Sequence, residues 1–238
     1  MQGMRLRCRS TAALVVAIAL FVALTAGCSK SSNQSTANLP DAATLLKQST
    51  QTTRDLKSAH LELSVQGKIE HLPVKTVSGD LTNTPAVAAK GHARFTMGEG
   101  DVDADFVVLN GTLYGSLDPN SWNDFGSAAN IYDISVILNP DTGLANILSS
   151  LTDPKAQGRE TVNGVQTVKI TGQVTADAVN KIAPKVASGG NVPATVWIRE
   201  DGNHDLVQVK LEPSSGNSIQ MTLSKWNEPV DVQKPPGV

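Results

Sequence analysis

The sequence contains few of the side chains that metal, redox and stacking sites require. Its 238 residues include two Cys, four His, three Trp, two Tyr and four Phe. This scarcity argues against a Cys/His metal cluster and against an aromatic platform for bases or sugars. Lys and Arg number 20 and Asp and Glu 22, so the net charge is −2 and no basic field attracts nucleic acid. We expect no cofactor, no metal and no nucleic-acid partner.

Motifs of nucleophilic catalysis are also missing from the chain. There is no G-x-S-x-G elbow, and no S-x-x-K motif begins a predicted helix. Asp101, Asp103 and Asp105 resemble the start of a calcium-binding loop, but that loop requires Gly at its sixth position and Glu at its twelfth. Those positions hold Phe106 and Thr112. We therefore expect aspartates alternating on the wet face of a strand, and no catalytic residues.

The N-terminal segment has the features of an exported and lipid-anchored protein. Three arginines are followed by the apolar run 11–26, which is shorter than the about 20 residues that a bilayer span needs. Ala26 and Gly27 then precede Cys28, as in a bacterial lipobox, although Thr25 stands where Leu, Val or Ile is usual. We expect cleavage before Cys28 and acylation of that cysteine. The alternative is an ordinary secretory signal with a chance cysteine.

We expect three segments along the chain. Residues 1–27 are predicted to be a lipoprotein signal peptide, 28–39 a Ser-rich tether that begins with the acylated Cys28, and 40–238 one folded domain. Cys8 leaves with the signal peptide, so the mature chain can form no internal disulfide. The acyl anchor predicts attachment to the outer face of the bacterial cell membrane, with the cell wall or the medium as further locations.

Apolar periodicity predicts a capped helix followed by antiparallel strands. Asp41 is placed to cap a helix running to about residue 57. From residue 60 onward, apolar residues recur at every second position, which is typical of strands with one buried face. The alternating sets are Leu61, Leu63 and Val65; Ala93, Phe95 and Met97; and Val102, Ala104 and Phe106. Asn110-Gly111 predicts a hairpin turn between two further strands.

Further strands are predicted at 74–81, from about 157 through 170 with a turn at 163–164, and at 194–200, 205–212 and 217–226. Helices are predicted at 133–151, broken near Pro140, and at 175–183. This pattern indicates a single α+β domain in which helices pack on one side of a long antiparallel sheet. The inward positions mix Ala, Gly and Val with few large residues. Such a composition is compatible with a cavity, but a well-fitted aliphatic core has a similar composition.

Five segments of the chain resemble one family of lipoproteins. Residues 77–81, 103–108, 138–146, 192–198 and 220–226 are similar, in the same order, to segments of the mycobacterial LppX/LprA/LprF/LprG lipoproteins. The resemblance extends through nearly all of the chain after the signal peptide. It implies a half-barrel, in which a curved antiparallel sheet holds helices on its concave face around an apolar cavity.

The family resemblance also implies a function. It predicts a membrane-tethered protein that binds triacylglycerol and triacylated glycolipids, such as phosphatidylinositol mannosides, lipomannan and lipoarabinomannan, and carries them across the envelope. The implied partners are a major-facilitator efflux pump, host Toll-like receptor 2 and the plasma membrane through Cys28. The cavity is then expected to be lined by Leu61, Leu63, Val65, Ala93, Phe95, Met97, Val102, Ala104, Phe106, Leu144, Ile147 and Leu148.

Two other functions remain open from the sequence. A structural or adhesive envelope lipoprotein would keep the tether and have a solid core without a ligand. A cell-wall hydrolase would need a catalytic triad assembled in space, because no sequence motif supplies one. Lipid extracted from the purified domain distinguishes the carrier from the structural protein, and turnover of acyl or glycan substrates would identify a hydrolase.

Overall fold

Eleven antiparallel strands in one sheet dominate the computed structural model of the protein, which describes residues 38–98, 100–118 and 121–238. The strands are β1 Ser58–Gln66, β2 Val74–Thr82, β3 Ala88–Met97, β4 Gly100–Leu109, β5 Thr112–Asp118, β6 Ser121–Ser127, β7 Thr152–Val162, β8 Val165–Thr175, β9 Asn191–Arg199, β10 Leu206–Ser214 and β11 Asn217–Ser224. Their order is β6-β5-β4-β3-β2-β1-β11-β10-β9-β8-β7. Two meanders therefore meet at the β1–β11 pair, and β6 and β7 leave the sheet open at its two edges.

Short helices cover part of one face of the sheet, called here the inner face. They are α1 Ala42–Arg54, α2 Leu144–Ser149, α3 Ala176–Ile182 and two 3-10 helices, Ala128–Asn130 and Ile134–Leu138. α1 packs on α2 and contacts β7, β9 and β10, whereas α3 contacts β8 and β9. The second 3-10 helix contacts β2 and β3. The hydrophobic core of the described residues lies between this helical layer and the inner face. The predicted α+β class and the open antiparallel sheet are confirmed.

Local sequence signals explain where the helices begin and end. Asp41 caps α1 as predicted, because its carboxylate accepts a hydrogen bond from the Thr44 N–H at 2.8 Å. α1 ends at Arg54, three residues earlier than expected. The predicted helix 133–151 is instead a 3-10 helix and α2. The chain turns before α2, where the Asn139 side-chain oxygen accepts hydrogen bonds from the N–H groups of Asp141 and Thr142.

Strand register confirms the alternation predicted for β1 to β4. Leu63, Val77, Ala93 and Ala104 are direct neighbours across the four strands and share the inner face. The neighbouring row of Glu62, Ser78, His92 and Asp105 lies on the opposite, outer face. The predicted aspartates of β4 therefore face water. They lie opposite basic and polar side chains of β3.

The two edge strands are the elements that the sequence did not reveal in full. β6 was not predicted, because its residues are almost all exposed and show no apolar alternation. β7 begins at Thr152 rather than near residue 157, and it contains Pro154. An edge strand tolerates proline, since one side of its backbone makes no ladder hydrogen bonds. Strands that bury few side chains show little apolar periodicity in the sequence.

Two facing glycines bring β2 and β3 close together. Gly79 and Gly91 are direct register partners. A Cβ atom on Gly91 would overlap the Ser78 carbonyl oxygen and lie 2.5 Å from the Gly79 Cα. The Phe106 ring covers the same place, with its Cζ 3.2 Å from the position of a Cβ on Gly79. Only glycine fits this row without moving the backbone.

Residues 1–27 and nearly all of the predicted tether, including Cys28, lie outside the described residues. Within the described ranges, no helix combines the length and the apolar character needed to cross a membrane.

We expect Gly91→Ala to lower the free energy of unfolding by about 1–3 kcal/mol, because the new methyl group has no room between β2 and β3. Gly100→Ala is the matched control, since a Cβ there would meet nothing within 4 Å. Urea unfolding followed by circular dichroism measures both variants. Equal midpoints for the two would contradict the close approach of β2 and β3.

Candidate functional site

The inner face of the sheet is covered by helices over one part and open over another. Leu61, Leu63 and Val77 are buried beneath the helical layer. Toward the free ends of the β3–β4 and β5–β6 hairpins the cover stops, and Met97 and Leu117 are 58% and 63% exposed. Alternation along β3 assigns Met97 to the inner face. In β5, Leu117 is the next alternate position after the inner-face residues Leu113 and Gly115, and it lies at a shift in the register with β6. An apolar surface thus continues from the core into solvent.

Two aromatic rings extend this exposed apolar surface. Phe95 and Val102 are half-buried register partners on the inner face. Phe125 of β6 is 52% exposed, and its Cε2 lies 2.9 Å from the position of a Cβ on Gly115, so the ring lies over that glycine. The residues Phe95, Met97, Val102, Leu117 and Phe125 are called here the open strip. An exposed apolar surface of this kind is a candidate binding surface for apolar partners.

A small apolar cavity lies between α3 and the covered part of the sheet. β1, β2, β10, β11 and α3 all contribute to its wall, through residues such as Leu63, Val179, Leu211 and Met221. Its volume is about 20 Å³, which is room for about one water molecule. Among the described residues of the lining, the only polar side chain is that of Tyr132, which lies in the short segment between the two 3-10 helices.

The predicted cavity residues fall into three groups. Leu63 lines the small cavity, and Leu61, Val65, Ala93 and Phe106 pack in or against the surrounding core. Phe95, Met97, Val102 and Ala104 lie on the less buried stretch of the same face. Leu144, Ile147 and Leu148 of α2 are fully buried in the core beside α1 and do not line the cavity.

Several lining residues were missed by the sequence prediction. Val179, Ile182 and Ala183 have the spacing of one helix face, and Ile219 and Met221 alternate along β11. Both signals were available in the sequence. Tyr132 has no periodic signal, because it lies between two short 3-10 helices rather than within a regular element.

The environment of Tyr132 is both apolar and negatively charged. Burial raises the pKa of the phenol, and the neighbouring Asp133 carboxylate raises this pKa further. The Asp133 carboxylate is held by the Ser135 N–H at 3.0 Å and by the Ser135 hydroxyl at 2.5 Å. The phenol therefore stays protonated and can donate a hydrogen bond.

A larger polar cleft of about 450 Å³ opens at the C-terminal end of α1. Its wall includes the cations Arg54 and Lys57 together with the carboxylates Asp55 and Asp133. Because the wall carries two cations and two carboxylates, the cleft favours neither an anionic nor a cationic ligand. The inner face, by contrast with this cleft, presents one kind of surface, which is apolar.

The outer face carries a chain of hydrogen bonds in the order of a hydrolase triad. His60 Nδ1 lies 2.6 Å from the Asp80 carboxylate, and the Ser78 hydroxyl lies 3.4 Å from His60 Nε2. An acyl-transfer site also needs free donors for an oxyanion. At Ser78, β2 pairs with both β1 and β3, so ladder hydrogen bonds engage the surrounding backbone N–H groups. Ser78, His60 and Asp80 therefore form a hydrogen-bond network on the sheet surface that lacks an oxyanion site.

His92 of β3 belongs to a second network on the outer face, formed with carboxylates of β4. Its ring nitrogens lie 3.1 Å from Asp105 and 3.3 Å from Asp103. The hydrogen bond with Asp105 is the largest cause that raises the pKa of His92. Arg94 donates two hydrogen bonds to Asp103 and lowers the pKa of that carboxyl. Among the described residues, no group of three or more His, Cys, Asp and Glu has the geometry of a metal site.

Comparisons of the sequence identify related proteins. Residues 41–232 match the family model described as LppX_LprAFG lipoprotein. The lipoarabinomannan carrier protein LprG of Mycobacterium tuberculosis is 53% identical over 236 residues, which cover 99% of each chain. The protein of the same name from Mycobacterium leprae is 54% identical over 214 residues and 90% of each chain.

Solved structures of the same architecture were also found. LprF of Mycobacterium bovis has a TM-score of 0.77 and 30% identity, covering 84% of this chain and 99% of its own. LppX of Mycobacterium tuberculosis has a TM-score of 0.63 and 32% identity, covering 81% of this chain and 98% of its own. The open antiparallel sheet is therefore the fold of both proteins.

The ion pairs of His92 predict a pKa above its ordinary value of 6.5. We expect a proton NMR titration to show this elevation and Asp105→Asn to reduce it, whereas Asp80→Asn, which removes the partner of His60, leaves it in place. Because the folded pKa is raised, the stabilisation is complete below about pH 6.5 and lost as the pH rises through the folded pKa. The gain is small, because solvent screens a half-exposed ring. An unshifted titration in the parent protein would contradict the network.

Proposed function

The chain belongs to the LppX_LprAFG lipoprotein family, and we propose that it carries acylated glycolipids across the cell envelope with their acyl chains on the inner face of its sheet. The observation that carries the proposal is the open strip, an apolar surface that continues outward from the covered core. The carrier name of the LprG relatives supports the same function. Triacylglycerol and triacylated glycolipids are the proposed cargo class.

The physical need for such a carrier follows from the hydrophobic effect. An acyl chain of about sixteen carbons exposes methylenes that each cost about 0.8 kcal/mol in water, or about 13 kcal/mol for the chain. A carrier must therefore offer the chain a surface about as apolar as the bilayer. An aliphatic lining accepts any saturated chain, because it presents no hydrogen-bonding group that the chain would leave unpaired. Head groups remain in water outside the lining.

The small cavity alone has no room for an acyl chain, since its volume is about 20 Å³. We infer that a chain first lies on the open strip and then separates α3 from the sheet. α3 has only seven residues, and residues 183–190 after it form neither helix nor strand. Such a short element has few contacts to lose when a ligand enters. Val179 and Ile182 of α3 would then contact the chain.

The proposal includes an acyl anchor on Cys28 at the outer face of the cell membrane, followed by the Ser-rich tether. A major-facilitator efflux pump and host Toll-like receptor 2 are proposed as partners on the family resemblance alone. No catalytic step belongs to this function, because release and uptake of lipid need only exchange between apolar surfaces. The outer-face network of Ser78 and His60 takes no part in it.

A bulky ring on the inner face tests the proposed lipid surface. We expect Ala93→Trp to reduce the extractable lipid about tenfold, equivalent to about 1.4 kcal/mol of binding free energy, because its ring would lie beside Val77 at the cavity and block the chain. Since Ala93 is only half-buried, the ring has room toward the open strip, and stability changes by about 1 kcal/mol or less. Mass spectrometry of the organic extract and thermal melting measure both effects.

Thr76→Trp is the control for this experiment, because Thr76 adjoins Val77 on the same strand but is exposed on the outer face. It should keep the lipid content of the parent protein. A parent protein without extractable lipid would favour the structural or adhesive alternative. A strongly lowered melting point for Ala93→Trp would instead indicate a solid core at that position.

The anchor is tested separately from lipid binding. We expect Cys28→Ala to abolish acylation and to release the protein from the membrane fraction, because one cysteine sulfur is the proposed attachment atom. Cargo binding should be unchanged, since Cys28 precedes the folded domain. Cys8→Ala is the control, as that residue belongs to the predicted signal peptide. Retention of the Cys28→Ala protein in membranes after a high-salt wash would contradict the anchor.

A further inference from the structure

The cavity under α3 contains one polar side chain in an otherwise aliphatic wall, that of Tyr132. Within the described ranges, no hydrogen-bond partner is found for its hydroxyl group. The Tyr132 side chain is half-buried and packs against the core, and burial raises the pKa of its phenol. A protonated hydroxyl without a partner among the described residues, at the wall of an apolar cavity, is suited to donate one hydrogen bond to a ligand.

Neighbouring turns hold Tyr132 in place. The Ile131 N–H donates to the Ala128 carbonyl at 3.1 Å, and the Val136 N–H donates to the Asp133 carbonyl at 3.2 Å. The chain on both sides of Tyr132 is therefore fixed by 3-10 hydrogen bonds. A donor held in advance loses little freedom when it binds a ligand atom.

The surroundings of the hydroxyl restrict the kind of acceptor. The lining contributed by the described part of the chain contains no Lys, Arg or His side chain. Asp133 is the next residue in the chain, and its negative charge already acts on the phenol. A carboxylate or phosphate placed at the hydroxyl would be desolvated and would face this negative charge without a compensating cation. A neutral acceptor avoids both penalties, and the neutral acceptor at the head of an esterified acyl chain is its carbonyl oxygen.

We propose that Tyr132 donates a hydrogen bond to an ester carbonyl of the bound lipid and thereby favours ester-linked chains over ether-linked chains. This inference rests on the proposed lipid-carrier function and names the chemical group that the site recognises. The aliphatic wall accepts chains of any length that fits. The tyrosine sets the depth at which the glycerol end of the lipid stops.

Paired lipids that differ only in the carbonyl test this inference. The mature protein is incubated in mixed micelles with equal amounts of 1,2-dipalmitoylglycerol and its diether analogue 1,2-dihexadecylglycerol, and the bound lipids are quantified by mass spectrometry. We expect the parent protein to favour the ester by about three- to tenfold, the range that one net hydrogen bond provides. Tyr132→Phe keeps the ring and removes the hydroxyl, so the ratio of bound ester to bound ether should fall to about one.

The ratio of bound ester to bound ether distinguishes a loss of ester recognition from a loss of folded protein, because both lipids compete for the same folded molecules. Tyr114→Phe is the control, since Tyr114 lies on the outer face with its ring 5.7 Å from Lys234 Nζ. This variant should keep the preference of the parent protein. Equal binding of the two lipids by the parent protein, or an unchanged preference in Tyr132→Phe, overturns the role of Tyr132 and leaves the carrier function standing. Failure of the parent protein to bind either lipid overturns both proposals.

Discussion

The pairing of β1 with β11 is the contact on which the rest of the structure depends. It joins residues far apart in the sequence, with Leu63 beside Met221 and Val65 beside Ile219. Without it, the chain would form two separate meanders, each with an incomplete core. Through it, the inner faces of the two meanders become one apolar surface, and the cavity under α3 is walled by strands from both. The proposed lipid site exists only in the assembled sheet.

The sequence predicted which face each residue of the central strands occupies, but not what covers that face. Period-two alternation assigned Leu61, Ala93 and Phe106 to the inner side, and the register confirms this. The same alternation treats Leu63 and Met97 alike, although one is buried and the other exposed. The difference arises from where the helical layer ends, which is a property of tertiary packing. Tyr132 escaped prediction for a related reason, because a residue between short 3-10 helices has no periodicity.

An exposed apolar strip is a hazard for any β-sheet protein, and the surrounding residues limit it. The open strip lies near the free edge β6, where an unpaired strand could join another chain. β6 is short, almost fully exposed and polar, with Asn123 and Asp124 near its centre. These polar groups discourage edge pairing, so the apolar inner surface remains available to a lipid rather than to another sheet.

In the proposed carrier function, α3 competes with the lipid for the inner face of the sheet. Val179 and Ile182 are buried against the sheet, and burying two such aliphatic side chains contributes about 3–6 kcal/mol. A chain that enters must replace these contacts, so part of the about 13 kcal/mol gained by removing it from water is offset. The remainder still exceeds the thermal energy, and the acyl chain stays bound in water.

At a membrane or a partner with its own apolar surface, the gain from leaving water vanishes, and closure of α3 then favours release of the lipid. A sheet with a permanently open cavity would hold its lipid more tightly and deliver it less readily.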